Sequence, residues 1–196
     1  MDNFYLVNIY LLVMAVALAL LEIQIEGEHG WAQNLPTWRP QKKSFFVNLY
    51  SKLIGGRQVT GYHVMMFIFI LLIFHLPFVF GLEFRLEDWL KVVSLYFMFV
   101  VLWDFLWFVL NPHRPLKKFK KEYIWWHKYW WGGMPIDYYI VLILSFVVLI
   151  PGMFLLGPYF FVNWWITNVI LFFIEVMLII LFTLYVLKID MWNSKK

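Results

Sequence analysis

The chain has 196 residues, 63% of them hydrophobic and 14% charged. A soluble domain sits nearer half apolar and a quarter charged, so with mean hydropathy +0.74 the composition points to a polytopic membrane protein. There is no cysteine, which rules out a disulfide framework and a thiolate metal site, and the net charge of +4 comes from bases beside apolar runs, a pattern that fits membrane topology and lipid rather than nucleic acid.

Five apolar runs, at about residues 4–24, 62–81, 89–110, 137–156 and 160–188, each approach the ~20 residues that a helical span requires. They are continuously apolar rather than alternating, which disfavours a barrel. The expected fold is therefore all-α: a single transmembrane domain over 1–196, with five helices in one bundle. The first run lacks a basic leader and a small-residue cleavage motif, so it is expected to be a retained span. It ends in Glu22, Glu26, Glu28 and His29. Gly27 and Gly30 weaken helix continuation there.

The connection after it contains a segment with apolar residues at 45, 46, 49, 50, 53 and 54. That spacing predicts an amphipathic helix at about 44–54, lying in the membrane interface and ended by Gly55-Gly56. Asn111-Pro112 closes the third span. The next connection carries Lys117, Lys118, Lys120 and Lys121, candidates for contact with an anionic headgroup. Met134-Pro135-Ile136-Asp137 reads as the start of the fourth span, with Asp137 favourable to the helix dipole. Gly157-Pro158 turns the chain into the fifth. Trp89, Trp164 and Trp165 mark one interface, while Trp31, Trp38, Trp103, Trp107, Trp125, Trp126, Trp130, Trp131 and Trp192 read as the aromatic belt of the other.

Lys and Arg set the expected orientation. Fourteen fall on one side of the alternating connections and two on the other. The positive-inside rule then places the N-terminus outside and the C-terminus in the cytoplasm of a plasma-type or inner membrane.

With that topology, the ionisable residues gather in one layer at the cytoplasmic rim. Residues 22, 26 and 29 are spaced i, i+4, i+7 and would share a helix face; Asp104 and Asn111 share another. Two carboxylates four apart repel unless a proton, a base or a cation neutralises them. Glu22, Glu26, His29, Asp104 and His127 are the proposed metal ligands, a set suited to iron, manganese or zinc. His113, His63 and Asn111 are candidates for a supporting or substrate-contacting role. Acid–base work without a metal, and purely structural pairing of the carboxylates with the loop, are the competing readings.

The Glu-x3-Glu-x2-His pattern resembles part of a ferritin-like carboxylate site but lacks its paired Glu-x2-His. The five histidines form no His-x2–4-His box of the kind that membrane di-iron desaturases carry, and no motif names a reaction.

Deeper in the bundle, His75, Asn168 and Glu175 form a candidate buried polar set, with Glu175 expected to be protonated, hydrogen-bonded or paired with His75, and Asn8 a candidate to join from the first span. The expected function is a membrane enzyme acting on a lipid or other apolar substrate. A non-catalytic accessory or scaffold subunit is the alternative, and a small transporter using Glu175 the third. Membrane lipid is the expected partner, with a membrane-protein partner or a second copy as further possibilities.

Overall fold

The computed structural model describes residues 4–40, 44–53 and 56–192. Lys42, Lys43, Ile54, Gly55, Lys195 and Lys196, which entered the charge count and the boundary of the interfacial helix, lie outside them. The order is α1 (Phe4–Glu26), α2 (Phe45–Leu53), α3 (Gly61–Val79), α4 (Leu86–Leu110), a small hairpin of β1 (Trp130–Trp131) and β2 (Met134–Pro135), then α5 (Ile136–Val147), α6 (Ile150–Leu156) and α7 (Pro158–Leu181). Helices α5 and α6 together form one span, and α7 runs on as a π-helical stretch to Leu187. The result is an all-α bundle with five helical segments long and apolar enough to cross a membrane.

Helix α4 is the centre. It packs against α1, α3, α5, α6 and α7, and 61% of its span is buried, against 11–22% for the other four. Nothing in its 25 residues interrupts it: there is no Gly or Pro, and Glu87 and Asp88 in its first turn favour the helix dipole. Pro112 forces its end. Asn111 there is fully buried, donates from Nδ2 to Gly27 O at 2.8 Å and accepts from His113 N. This clasp ties the C-terminal end of α1 to that of α4. With α3 and α5 both starting at that level, one end of the bundle collects the long, basic connections.

Helix α1 is apolar nearly all round, yet one stripe is buried: Asn8, Leu11, Ala15, Ala19, Glu22, Ile23 and Glu26. Ala15 and Ala19 are fully covered; such small residues let two helix backbones approach closely, the usual device where lipid supplies no hydrophobic drive. The stripe that docks α1 into the bundle is thus the one that carries Glu22 and Glu26.

Helix α2 presents Phe45, Phe46 and Leu49 outward, as an interfacial helix does. The aromatic-belt reading needs correction for four tryptophans. Trp31, Trp103, Trp107 and Trp126 are 3–6% exposed and belong to the core, because α4 is central and the 111–131 connection folds back over its end. Trp126 stacks on Phe108 with ring centroids 5.9 Å apart.

Candidate functional site

The polar layer becomes a site through three separate pieces of chain. Glu22 and Glu26 come from the buried stripe of α1. His63 comes from the first turn of α3, where Thr60 caps the helix and accepts from His63 N at 3.4 Å. His63 Nε2 lies 3.8 Å from Glu22 Oε1 and 3.6 Å from Glu26 Oε1, and one donor atom from each of the three residues lies within 4.8 Å of the others. The other ring nitrogen, Nδ1, is 2.7 Å from Thr60 Oγ1. Trp31 stacks on the imidazole at 4.1 Å between centroids. The ring is therefore held from behind and from one face, with Nε2 directed at the carboxylates.

The loop that follows α1 is shaped around this cluster. Gly27 turns the chain at φ +63°, and Trp31 and Ala32 both adopt the left-handed region, at +59° and +51°. Two consecutive non-glycine residues there cost energy that the surroundings must offset. Glu26 Oε1 accepts from Ala32 N at 2.5 Å, Arg39 donates to Ala32 O, and Trp31 Nε1 donates to Gln58 O at 2.7 Å.

A second cluster faces the first. Asp104 on α4 accepts from the Tyr138 hydroxyl and lies 3.5 Å from His127 Nε2. His127 Nδ1 is 3.1 Å from Asp137 Oδ2, which also receives Arg57 Nη2 at 2.6 Å. The Arg57 guanidinium sits over Trp31 at 4.2 Å, so the two clusters share a wall. An ionised carboxylate can only accept, so the imidazole faces an acceptor at each nitrogen, Asp137 at Nδ1 and Asp104 at Nε2. Nε2, 3.5 Å from Asp104, makes no hydrogen bond among the described residues although His127 is 2% exposed. Glu22, His63, Asp104, His127, Asp137 and Tyr138 all line one cavity of about 90 Å³.

Of the five residues proposed as ligands, the structure gathers Glu22, Asp104 and His127 around this space, sets Glu26 beside it against His63, and separates His29 from it. His29 is exposed and lies 3.9 Å from Glu28. Its place as i+7 to Glu22 requires the helix to continue, whereas α1 stops at Glu26 and Gly27 redirects the chain. His63 stands where His29 was expected. Asn111 serves the clasp between α1 and α4, and His113 is exposed next to it. Lys117, Lys118, Lys120 and Lys121 are all exposed on the basic end.

The deeper polar set divides differently from expectation. Asn8 Nδ2 donates to Asn168 Oδ1 at 3.1 Å, joining α1 to α7. His75 does not meet Glu175: its Nδ1 lies 2.7 Å from Leu71 O, and its Nε2 accepts from Trp89 Nε1 at 3.1 Å. Glu175 Oε2 is buried with no hydrogen-bond partner among the described residues. Helical depth placed His75 and Glu175 at comparable levels, but depth does not determine which way each helix is rotated.

The sequence alone does not single out Thr60 or Tyr138, and Trp31 reads there as part of the aromatic belt. Thr60-x2-His63 carried a readable signal, since a threonine three residues before a histidine at the head of an apolar run is an N-cap pattern. The chain matches no protein-family model, no curated protein and no solved structure.

Proposed function

We propose that this chain is an integral membrane enzyme that acts on a lipid, with a transition metal held by Glu22, Glu26 and His63. The observation that carries the reading is the convergence of two buried carboxylates and a buried imidazole, with their donor atoms within 4.8 Å. Two of the three separations suit such a site: bonds of the usual length in a tetrahedral site separate donors by about 3.4 Å, and His63 Nε2 stands 3.6 and 3.8 Å from its two neighbours. Nitrogen and oxygen donors without sulfur suit iron, manganese or zinc. Thr60 behind His63 supplies the support from the ring's other nitrogen that metal-binding imidazoles typically have.

Such a metal would polarise a substrate oxygen or carry redox chemistry. The chain's own residues do the rest. Asp104 faces the metal cluster from α4. His127 stands between Asp104 and Asp137 and would exchange a proton with the substrate at Nε2, oriented by Asp137, whose charge Arg57 offsets. Trp31 and Trp103 keep the pocket largely apolar around these groups, which strengthens each charge interaction within it. In this reading the basic end faces the cytoplasm, by the positive-inside rule, and Lys117, Lys118, Lys120 and Lys121 attract an anionic headgroup towards it.

Metal analysis of protein purified without chelators tests this. About one equivalent of iron, manganese or zinc is expected in the wild type, as a single three-donor site would hold, and little in Glu22→Gln/Glu26→Gln or His63→Ala. A folded wild type that takes up none of the three, even when they are supplied, overturns it. One observation favours a second reading, in which the chain is a non-catalytic membrane subunit: Glu26 already accepts the Ala32 amide, so the carboxylates would only hold the loop. The same measurement separates the two.

A further inference from the structure

Next to the polar cavity lies a second one of different chemistry, of about 340 Å³, among α4, α5 and α7. Ligand pockets begin at about this size. Met98, Leu102, Leu142, Phe172 and Val176 belong to its walls, and its only side-chain polar groups are the hydroxyls of Tyr138 and Tyr139. Val101 and Tyr138 line both cavities. The Tyr138 hydroxyl donates to Asp104, so its polar tip belongs to the polar site and its ring to the apolar one. Along α4 the apolar cavity runs from Phe105, beside Asp104, to Met98, about 10 Å at 1.5 Å per residue.

The packing leaves this cavity a way in. Helices α5 and α7 both pack on α4 but scarcely on each other, whereas α6 packs on α7 at the other end of the same span. The fourth and fifth spans therefore meet near Gly157 and part towards the basic end. We propose that this cleft admits one aliphatic chain of a lipid from the bilayer and holds it with its polar end at Tyr138 and Asp104.

The inference rests on the enzyme reading above and specifies its substrate: a molecule with a single long alkyl chain bound in the bundle and a polar end at the metal cluster. Apolar walls offer water no hydrogen bonds, and a chain leaving the bilayer for them exchanges one apolar surrounding for another. Size alone does not select this cavity. Another of about 400 Å³ lies between α1, α3 and α4, lined by Leu6, Met14, Ile73 and Pro77 among others. That one shares no residue with the polar cavity and serves as the internal control.

Palmitic acid carrying a chain diazirine, photolysed on the full-length protein in nanodiscs and mapped by peptide mass spectrometry, provides the test. Adducts are expected in residues 98–105 and 169–180 and should be competed away by excess palmitic acid. Labelling of residues 6–14 should not be competed. Val176→Trp, which fills the apolar cavity, is expected to lower competed labelling about tenfold, the equivalent of about 1.4 kcal/mol of affinity; Leu142→Trp does the same from α5 should Val176→Trp fail to fold. Equal, uncompeted labelling of both cavities means ordinary boundary lipid and overturns the proposal. Running Glu22→Gln/Glu26→Gln in parallel separates the two ideas. Competed labelling in a wild type that binds no metal sinks the metal reading alone, whereas competed labelling in the metal-free double variant is expected. Bound metal without competed labelling sinks the chain site alone.

Discussion

Arg57 Nη2 lies 2.6 Å from Asp137 Oδ2, and both side chains are almost fully covered. The pair joins the end of the long α1–α3 connection to the first turn of α5. Asp137 had an adequate local explanation as a dipole-favouring residue at a helix start, but its carboxylate is used across 80 positions of sequence. The same oxygen orients His127.

A buried pair of this kind is costly to break on one side. Arg57→Ala leaves the Asp137 charge uncompensated and removes the guanidinium from the face of Trp31, and should destabilise the fold by about 3–5 kcal/mol. Replacing both partners by apolar residues, Arg57→Met with Asp137→Leu, should cost less than Arg57→Ala alone. Thermal unfolding of the three variants in detergent reads this; a double variant less stable than the single one would show that the pair itself stabilises the bundle.

Gly30 is occupied by its neighbour rather than by its own conformation. A Cβ built there would meet the Trp126 ring at 2.3 Å, and Gly30 has no positive φ to excuse the absence of a side chain. Gly30→Ala should therefore push Trp126 off Phe108 and cost about 1–3 kcal/mol, the usual range for overpacking. A lowered unfolding temperature with a shift in tryptophan emission checks it. An unchanged emission spectrum would mean that the loop, not the ring, had moved.

How much of this could be read beforehand follows from the range of each interaction. The five spans were legible because a run of about 20 apolar residues has few other homes. The shared face of Glu22 and Glu26 was legible because four residues is a helical repeat. His29 was grouped with them by the same arithmetic, which fails once the helix ends three residues earlier. His63 was recognised as lying in the right layer, yet its contact with Glu26 depends on how a 34-residue connection (27–60) folds, and no periodicity encodes that. The Asp104–His127–Asp137 arrangement is of the same long-range kind.

The Asn8–Asn168 hydrogen bond is expected to be worth about 0.6–1.7 kcal/mol, the range for interhelical polar contacts in membranes. Asn8→Ala and Asn168→Ala should each lower stability modestly, and the double variant should lose less than the two together. Strict additivity in the unfolding free energies would show that the two amides do not act as a unit, for instance because each is satisfied by its own helix: Asn8 also donates to Phe4 O and Asn168 to Trp164 O.

The proposed metal site carries a prediction whose sign separates it from a structural role. Glu22 and Glu26 are each 7% exposed and one helical turn apart, so without a cation they must repel each other or take up a proton, and either works against folding at neutral pH. A metal bound only to the folded state stabilises it by about 2.7 kcal/mol when its concentration is 100 times its dissociation constant. Chelator should therefore lower the unfolding temperature of the wild type, and adding back iron, manganese or zinc should restore it. Glu22→Gln/Glu26→Gln should be indifferent to both treatments and at least as stable as the chelated wild type, because glutamine keeps an oxygen for the Ala32 amide while removing the repulsion. If the carboxylates only hold the loop, the order reverses: the wild type ignores chelator and the double variant is the less stable protein. Thermal unfolding of both proteins, with and without chelator, decides between them.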